Sequence, residues 1–390
     1  MSHSPSSNST LDRSNATNGG TLDLHGDAGL LALREAGLLT EFEKHARPEG
    51  DALKLVSPTG KVLWNENNIP ATIPEAGAER EDHRPEIDRV ALRDILLGAV
   101  RHERICRGKG LQYVESVDSA TYNLHFSDSV ETGFDLVVGA DGAWSKVRPL
   151  LTAEKPFYSG VTAIDLWALD VKTRSSWLSD YVGIGSCFIF DEGRAVFAQR
   201  NGGGSIRTYA CVQQPETWIR DSGIDWSQQA TARNELVQRY FNTCGVEIKR
   251  IILECRDELV PRPLYMLPVG IRWDAHPGVT LIGDAAHLMT PFAGSGVNAG
   301  MLDSLELANA IVACKDSWES GRDTEASSNL EEAIARYEIA MFERGEKFAT
   351  KTFRQMQSSF KHDGSENMLK FMMEVRPDIA RFATGVECIG

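Results

Sequence analysis

The run from Leu281 to Gly300 holds the densest set of residues able to do chemistry. Val279 to Ile282 reads as a buried strand. Asp284 follows at its carboxy-terminal end, where open α/β sheets place their ligands. An aspartate there can accept from a ribose hydroxyl. Pro291, Gly294 and Gly296 shape the loop that follows, and the two glycines let backbone approach a ligand closely. Asn298 falls in the first turn of a helix expected from about Val297 to Ala313. That helix aims its N–H groups and positive dipole end at the loop, which suits a pyrophosphate or an electron-rich ring. His287, the histidine beside this loop, is expected to be structural. A Gly-Asp pair after a strand is also a common turn, so the specificity lies in the whole run.

A second set lies about 140 residues earlier. Phe134 to Val138 reads as a buried strand running into Gly139-Ala140-Asp141-Gly142, with Arg148 closing the segment. Alone, Ala140-Asp141-Gly142 is a turn signal. A third set is Asp23, in the alternating stretch Thr21 to His25, together with Arg89. Asp88 can N-cap a helix over roughly 89–103. Arg89 and Arg93 share one face of it. A fixed guanidinium at Arg89 can hold phosphates or the edge of a ring cofactor. Arg93 is expected to be a structural ion-pair partner.

The elements that must position these residues follow from periodicity. Residues 51–64 read as a hairpin, and short strands fall near 111–117 and 121–127. Ala143 to Leu151 reads as a short helix. Residues 157–215 carry alternating runs split by turns at 191–194 and 201–204, which predicts a mainly antiparallel sheet. Its candidate lining residues are Trp167, Phe188, Phe197, Gln199, Arg207 and Tyr209. About half are expected to point away from any pocket, since a sheet shows one face to a cavity. A helix is expected at 228–243, a strand at Arg250 to Arg256, a Pro-rich stretch at 261–268 and a helix over 328–359. The domains expected are a discontinuous dinucleotide-binding unit at 19–155 and 256–325, a substrate sheet at 156–255 and a carboxy-terminal helical segment at 326–390. A disordered Ser/Asn-rich leader is expected at 1–18.

The Leu281–Gly300 run resembles the second FAD fingerprint of class A flavoprotein monooxygenases, the p-hydroxybenzoate hydroxylase-like group. Asp135 to Arg148 resembles that group's Asp-Gly motif. Gly19 to His25 and Pro85 to Leu97 resemble segments of its tetracycline-destructase-like branch. The resemblance covers roughly residues 19–345. It implies a mixed α/β chain: a Rossmann-like FAD-binding domain with an inserted antiparallel substrate domain and carboxy-terminal helices. It implies FAD as cofactor, held by Asp23, Arg89, Asp141, Asp284, Pro291, Gly294, Gly296 and Asn298. Phe188, Gln199 and Arg207 would meet the substrate. NADPH (or NADH) would reduce FAD, and O₂ would add to the reduced flavin as a C4a-hydroperoxide. One oxygen atom would then pass to an aromatic or polyketide-like molecule, with the cofactor carrying the hard step. No catalytic side chain and no metal is assigned.

The sequence departs from that pattern at its start. No GxGxxG precedes Gly19, and only 18 residues do, where a βαβ unit needs about 30. Ala16 stands where the branch often carries a nicotinamide-contacting arginine. The expectations this raises are an abbreviated start, an impaired relative that binds a small hydrophobic ligand without turnover, or a complementing partner chain. A halogenase reading ranks below these, because no two tryptophans stand two residues apart.

Composition narrows the field. The 390 residues carry 41 Lys and Arg against 55 Asp and Glu, a net charge of −14. That balance argues against nucleic acid and anionic lipid as partners. No apolar run approaches the length of a membrane span, and the start lacks a signal h-region. Seven cysteines without a CxxC pair predict free, buried thiols and a cytoplasmic setting. The expected partners are a small aromatic substrate and O₂, with the chain a monomer or weak oligomer.

Overall fold

The computed structural model describes residues 19–69, 84–118, 121–314 and 324–384. The expected leader at 1–18 lies outside the described residues. Strand β1 (Thr21–Asp23) is followed by the short helix α1 (Gly29–Glu35). The hairpin β2 (Leu53–Val56) and β3 (Val62–Asn65) comes next, then β4 (Glu86–Asp88) and helix α2 (Arg89–Ala99). β1 and β4 pair antiparallel as a two-stranded ribbon. Helix α2 ends at Ala99, short of the expected 103. Asp88 makes no capping bond, because its carboxylate accepts from the Gly202 N–H at 2.9 Å and from Arg47 at 3.2 Å.

β5 (Leu111–Ser116), β6 (Tyr122–Phe126) and β7 (Val130–Phe134) form an antiparallel sheet. It leads into β8 (Val137–Gly139), which pairs in parallel with a later strand at Val279–Leu281. Among the described residues this parallel sheet has two strands. The helix expected from Ala143 is a single 3-10 turn at Arg148–Leu150. Asp141 accepts from the Lys146 N–H at 2.6 Å, which fixes an irregular loop instead.

The substrate sheet begins with β9 (Phe157–Ala168), β10 (Ser186–Asp191), β11 (Arg194–Arg200) and β12 (Ile206–Gln213). Helices α3 (Gln229–Tyr240) and α4 (Val246–Glu254) follow, then β13 (Glu258–Met266) and β14 (Val279–Leu281). The strand expected at Arg250 to Arg256 is therefore mostly helix. Ile248, Ile251 and Ile252 recur at helical spacing and bury one face of α4 against the sheet. The Pro-rich stretch is largely strand. β13 lies at the edge of the sheet, where Pro261 and Pro263 can be accommodated without a ladder N–H. The full order is β13-β9-β12-β11-β10-β2-β3. The sheet is thus wider than the 156–255 segment, because β2 runs parallel to β10 and β13 closes the other side.

Its two faces differ. Ile164, Leu166, Ile189, Val196, Ala210 and Val212 face α3 and α4 in one core. The opposite face carries Ala163, Phe190, Ala195 and Cys211, packed on carboxy-terminal residues such as Met356 and Phe360. After β14 come the turn helix α5 (Asp284–His287), α6 (Gly296–Ala313) and the long α7 (Thr324–Ser359). α8 (Gly364–Val375) and a last turn at Ala380–Thr384 end the described chain. No described helix is long and apolar enough to cross a membrane. Five cysteines (187, 211, 244, 255 and 314) are buried and free, and Cys106 is free but exposed.

Candidate active site

The Gly-Asp turn is built first by its backbone. Gly283 takes φ 59° and ψ −138°, a conformation that favours glycine, and this swings Asp284 onto the start of α5. The Asp284 side chain opens outward at the strand end. Burial by the protein around it raises its carboxyl above the ordinary value, while the charges of His287, Arg89 and Arg148 pull the other way.

Arg148 joins this turn to the Asp-Gly turn. Its buried guanidinium donates to the carbonyls of Ala285 at 2.7 Å, Asp284 at 3.1 Å and Ala143 at 2.9 Å. Asp141 lies exposed beside it, with Gly142 at φ 76°. The two sequence-distant motifs are therefore one structure, pinned by a single side chain.

The third set packs on the flavin-type loop. Asn298 is fully buried and serves both sides at once. Its Oδ1 accepts from the His25 N–H at 2.8 Å and the Gly29 N–H at 3.2 Å. Its Nδ2 donates to the Asp23 carbonyl at 2.9 Å and to the Gly294 carbonyl at 3.3 Å. Gly294 sits at φ 62°, and a Cβ there would stand 2.8 Å from Asp23 Oδ1. A side chain at 294 would collide with the aspartate. His25 completes the group, with Nε2 3.2 Å from Asp23 Oδ2.

Pro291 opens a 3-10 turn and is exposed. Gly296 starts α6, and nothing lies within 4 Å of where its Cβ would stand. Arg89 is exposed at the start of α2 and makes no ion pair within 4 Å among the described residues. Its charge is nonetheless felt by both Asp284 and Tyr209, so it lies between turn and sheet. Arg93 pairs with Asp94 on the surface at 2.9 Å, as expected of a structural residue.

The six sheet candidates share one face, rather than the half expected. The register pairs Phe188 with Phe197, Phe197 with Tyr209, Gln199 with Arg207 and Arg207 with Trp167. Directly opposite residues lie on the same side, as do residues two apart. This face meets the loop through Phe292, whose ring centroid is 5.7 Å from that of Phe197. Arg207 is occupied within the protein. It grips Asp165 with two bonds at 2.9 and 2.7 Å and donates to the Gly19 carbonyl at 2.7 Å. It therefore ties the sheet to the ribbon. Tyr209 lies under that guanidinium, and burial pushes its hydroxyl up to about 12.

Sequence reasoning passed over three residues here. Arg148 was visible only as the end of a motif. Asp303, with no exposure, holds His287 at 2.6 Å. Glu86 is buried in β4, bonded by Thr21 at 2.9 Å beside Arg47 at 3.5 Å. An acid inside an otherwise apolar stretch was the signal for each.

The described residues fit the flavin end of FAD. An open flank at Gly296, the N–H groups starting α6, an outward Asp284 and an ion-pair-free Arg89 converge below an aromatic wall. That combination defines a flavin-dependent monooxygenase architecture. The family model for an FAD binding domain matches residues 119–323. The monooxygenase penA of Penicillium thymicola is 30% identical over 90% of this chain and 87% of its own length. The monooxygenase asqM of Emericella nidulans is 28% identical over 88% and 86%. A solved structure of Klebsiella pneumoniae HpxO with FAD superposes with TM-score 0.66 at 21% identity, covering 94% of this chain and 86% of that one. The chain belongs to the FAD binding domain family and is an FAD-dependent monooxygenase.

Proposed function

We propose that the protein uses NAD(P)H and O₂ to hydroxylate an aromatic or polyketide-like small molecule held against the front face of the substrate sheet. The observation that carries this reading is the aromatic face meeting the cofactor loop. Phe188, Phe197 and Phe292 form a chain of edge-to-face rings between β10 and the turn before α6. Bound FAD would supply electron transfer and oxygen activation. The two electrons of NAD(P)H and one O₂ yield one hydroxyl on the substrate and one water.

The chain's own residues bind, orient and shield. Asp284 would accept from the ribityl hydroxyls, and Asp23, Pro291, Gly294, Gly296 and Asn298 would shape the loop against the ring. Arg89 would hold the flavin edge or a phosphate by charge. Asp141 would face the pyrophosphate side. Phe188 and Gln199 would contact the substrate, one by ring stacking and one by its amide. The Tyr209 hydroxyl stays protonated at neutral pH and can donate a hydrogen bond to a substrate oxygen. The buried thiols fit a reducing, cytoplasmic setting.

The test is direct. Purified protein is expected to take up FAD with visible flavin absorbance, and aromatic ligands are expected to speed NAD(P)H oxidation with formation of hydroxylated product. NAD(P)H oxidation that no aromatic compound accelerates, with peroxide as the sole product, would sink the hydroxylase reading.

A further inference from the structure

Asp303 lies on α6, two turns beyond the cofactor loop, with no solvent exposure. Its Oδ2 accepts from the Gly283 N–H at 2.9 Å and from His287 Nε2 at 2.6 Å. Its Oδ1 accepts from Arg344 on α7 at 2.7 Å, and Arg344 also reaches Glu306 at 2.7 Å. The bonds to Gly283 and His287 bracket Asp284 on both sides. Burial opposes the charge on Asp303, yet the bonds from His287, Arg344 and Gly283 outweigh it and hold the carboxyl below its ordinary value. The same face of α7 grips the preceding strand. Tyr337 donates to the Leu281 carbonyl at 3.0 Å, and Glu338 accepts from Thr280 at 2.8 Å and Trp273 at 3.0 Å. Positions 337, 338, 341 and 344 recur at helical spacing, so one stripe of α7 faces strand and turn together.

We propose that Asp303 is the positioning residue of the cofactor turn, fixing Gly283 and His287 so that Asp284 keeps its aim, with Arg344 anchoring Asp303 from α7. This rests on the reading of Asp284 as an FAD contact. A plain structural acid would need only one partner. Asp303 instead spends its bonds on the two residues flanking Asp284, and at Gly283 the bond holds a backbone that strains any other residue.

The experiment is a double-mutant cycle on FAD affinity, read by flavin fluorescence on apoprotein titrated with FAD. Asp303→Asn is expected to weaken FAD binding about tenfold when Asp284 is present. In the Asp284→Asn background it is expected to add less than about twofold. Equal losses in both backgrounds, or no loss with Asp284 present, overturn the proposal. If Asp303→Asn does not fold, as thermal unfolding of the apoprotein would show, Arg344→Gln carries the same cycle. Arg344→Lys is then expected to recover part of the affinity. If Asp284→Asn itself leaves FAD affinity unchanged, the cofactor reading of the turn fails, and this inference with it. If only Asp284→Asn weakens binding, the cofactor reading stands and the role of Asp303 falls.

Discussion

At the residue scale, the clearest consequence of burial concerns Glu86. Burial raises its carboxyl from 4.5 to about 7, against the pull of the Thr21 hydrogen bond and the Arg47 charge. The protonated form is the one the fold prefers. Its contribution is therefore complete below the ordinary carboxylate range and is lost as pH rises through about 7. Above that the penalty is constant. The swing is at most about 3 kcal/mol, less where solvent reaches the pair. Glu86→Gln is expected to flatten this part of the profile and to raise stability more at about pH 8 than at about pH 5. Urea midpoints of both proteins at those two values check it. Equal midpoint shifts at both would contradict the assignment. Arg148 gives a second residue-scale prediction. Arg148→Met strands the carbonyls that a buried guanidinium serves in two turns. A loss of at least about 2 kcal/mol is expected. FAD uptake should fall with it, since both turns lose their shared pin. Chemical denaturation and FAD titration of the same preparation test the two halves of that statement.

Elements show what periodicity could and could not reveal. The Gly-Asp turn and α6 were legible because strand, glycine and helix start are local chemistry. The antiparallel strands of 157–215 were legible for the same reason. The stretch Arg250 to Arg256 was not. Its apolar run is short, and only the distance to Ile248 shows that the period is helical. Register was also hidden. No local pattern says that Gln199 faces Arg207, and Arg207 faces Trp167, across neighbouring strands. The partner of Arg207 was out of reach for the same reason, since Asp165 lies 42 residues away. That pair yields the prediction proper to this scale. Asp165 is almost fully buried and also accepts from Arg262 at 2.8 Å. Asp165→Ala leaves a largely buried guanidinium without its acid, so a loss of about 3–5 kcal/mol is expected. Asp165→Ala with Arg207→Met is expected to recover much of it. Thermal unfolding of the single and double variants decides this, and a double variant no more stable than the single would refute it.

At the scale of the whole molecule, the sheet has a fixed side and a working side. Helices α3 and α4 close the first with a continuous apolar core. The second touches the cofactor-binding half at a small number of points. Gly202 donates to Asp88 on β4, Arg207 donates to Gly19 before β1, and Phe197 meets Phe292 on the loop. The first two are polar ties to the ribbon, and they set how the sheet sits over the loop. The third is the one made of the same kind of surface an aromatic ligand would use. Phe292 also packs on Phe360 at 5.5 Å, so its ring is held from the carboxy-terminal side as well. Binding of substrate and binding of cofactor should therefore separate by residue. Phe292→Ala is expected to weaken an aromatic ligand about tenfold through lost ring contact, with FAD affinity changed less than about twofold. Asp284→Asn is expected to do the reverse. Phe197→Ala should cost little more once Phe292 is gone, because the two rings form one contact. Ligand titration of the FAD-loaded protein, set beside FAD titration of each apoprotein, reads both quantities. If Phe292→Ala lowered FAD and ligand affinity by the same factor, the ring would belong to the loop's fold rather than to the substrate wall.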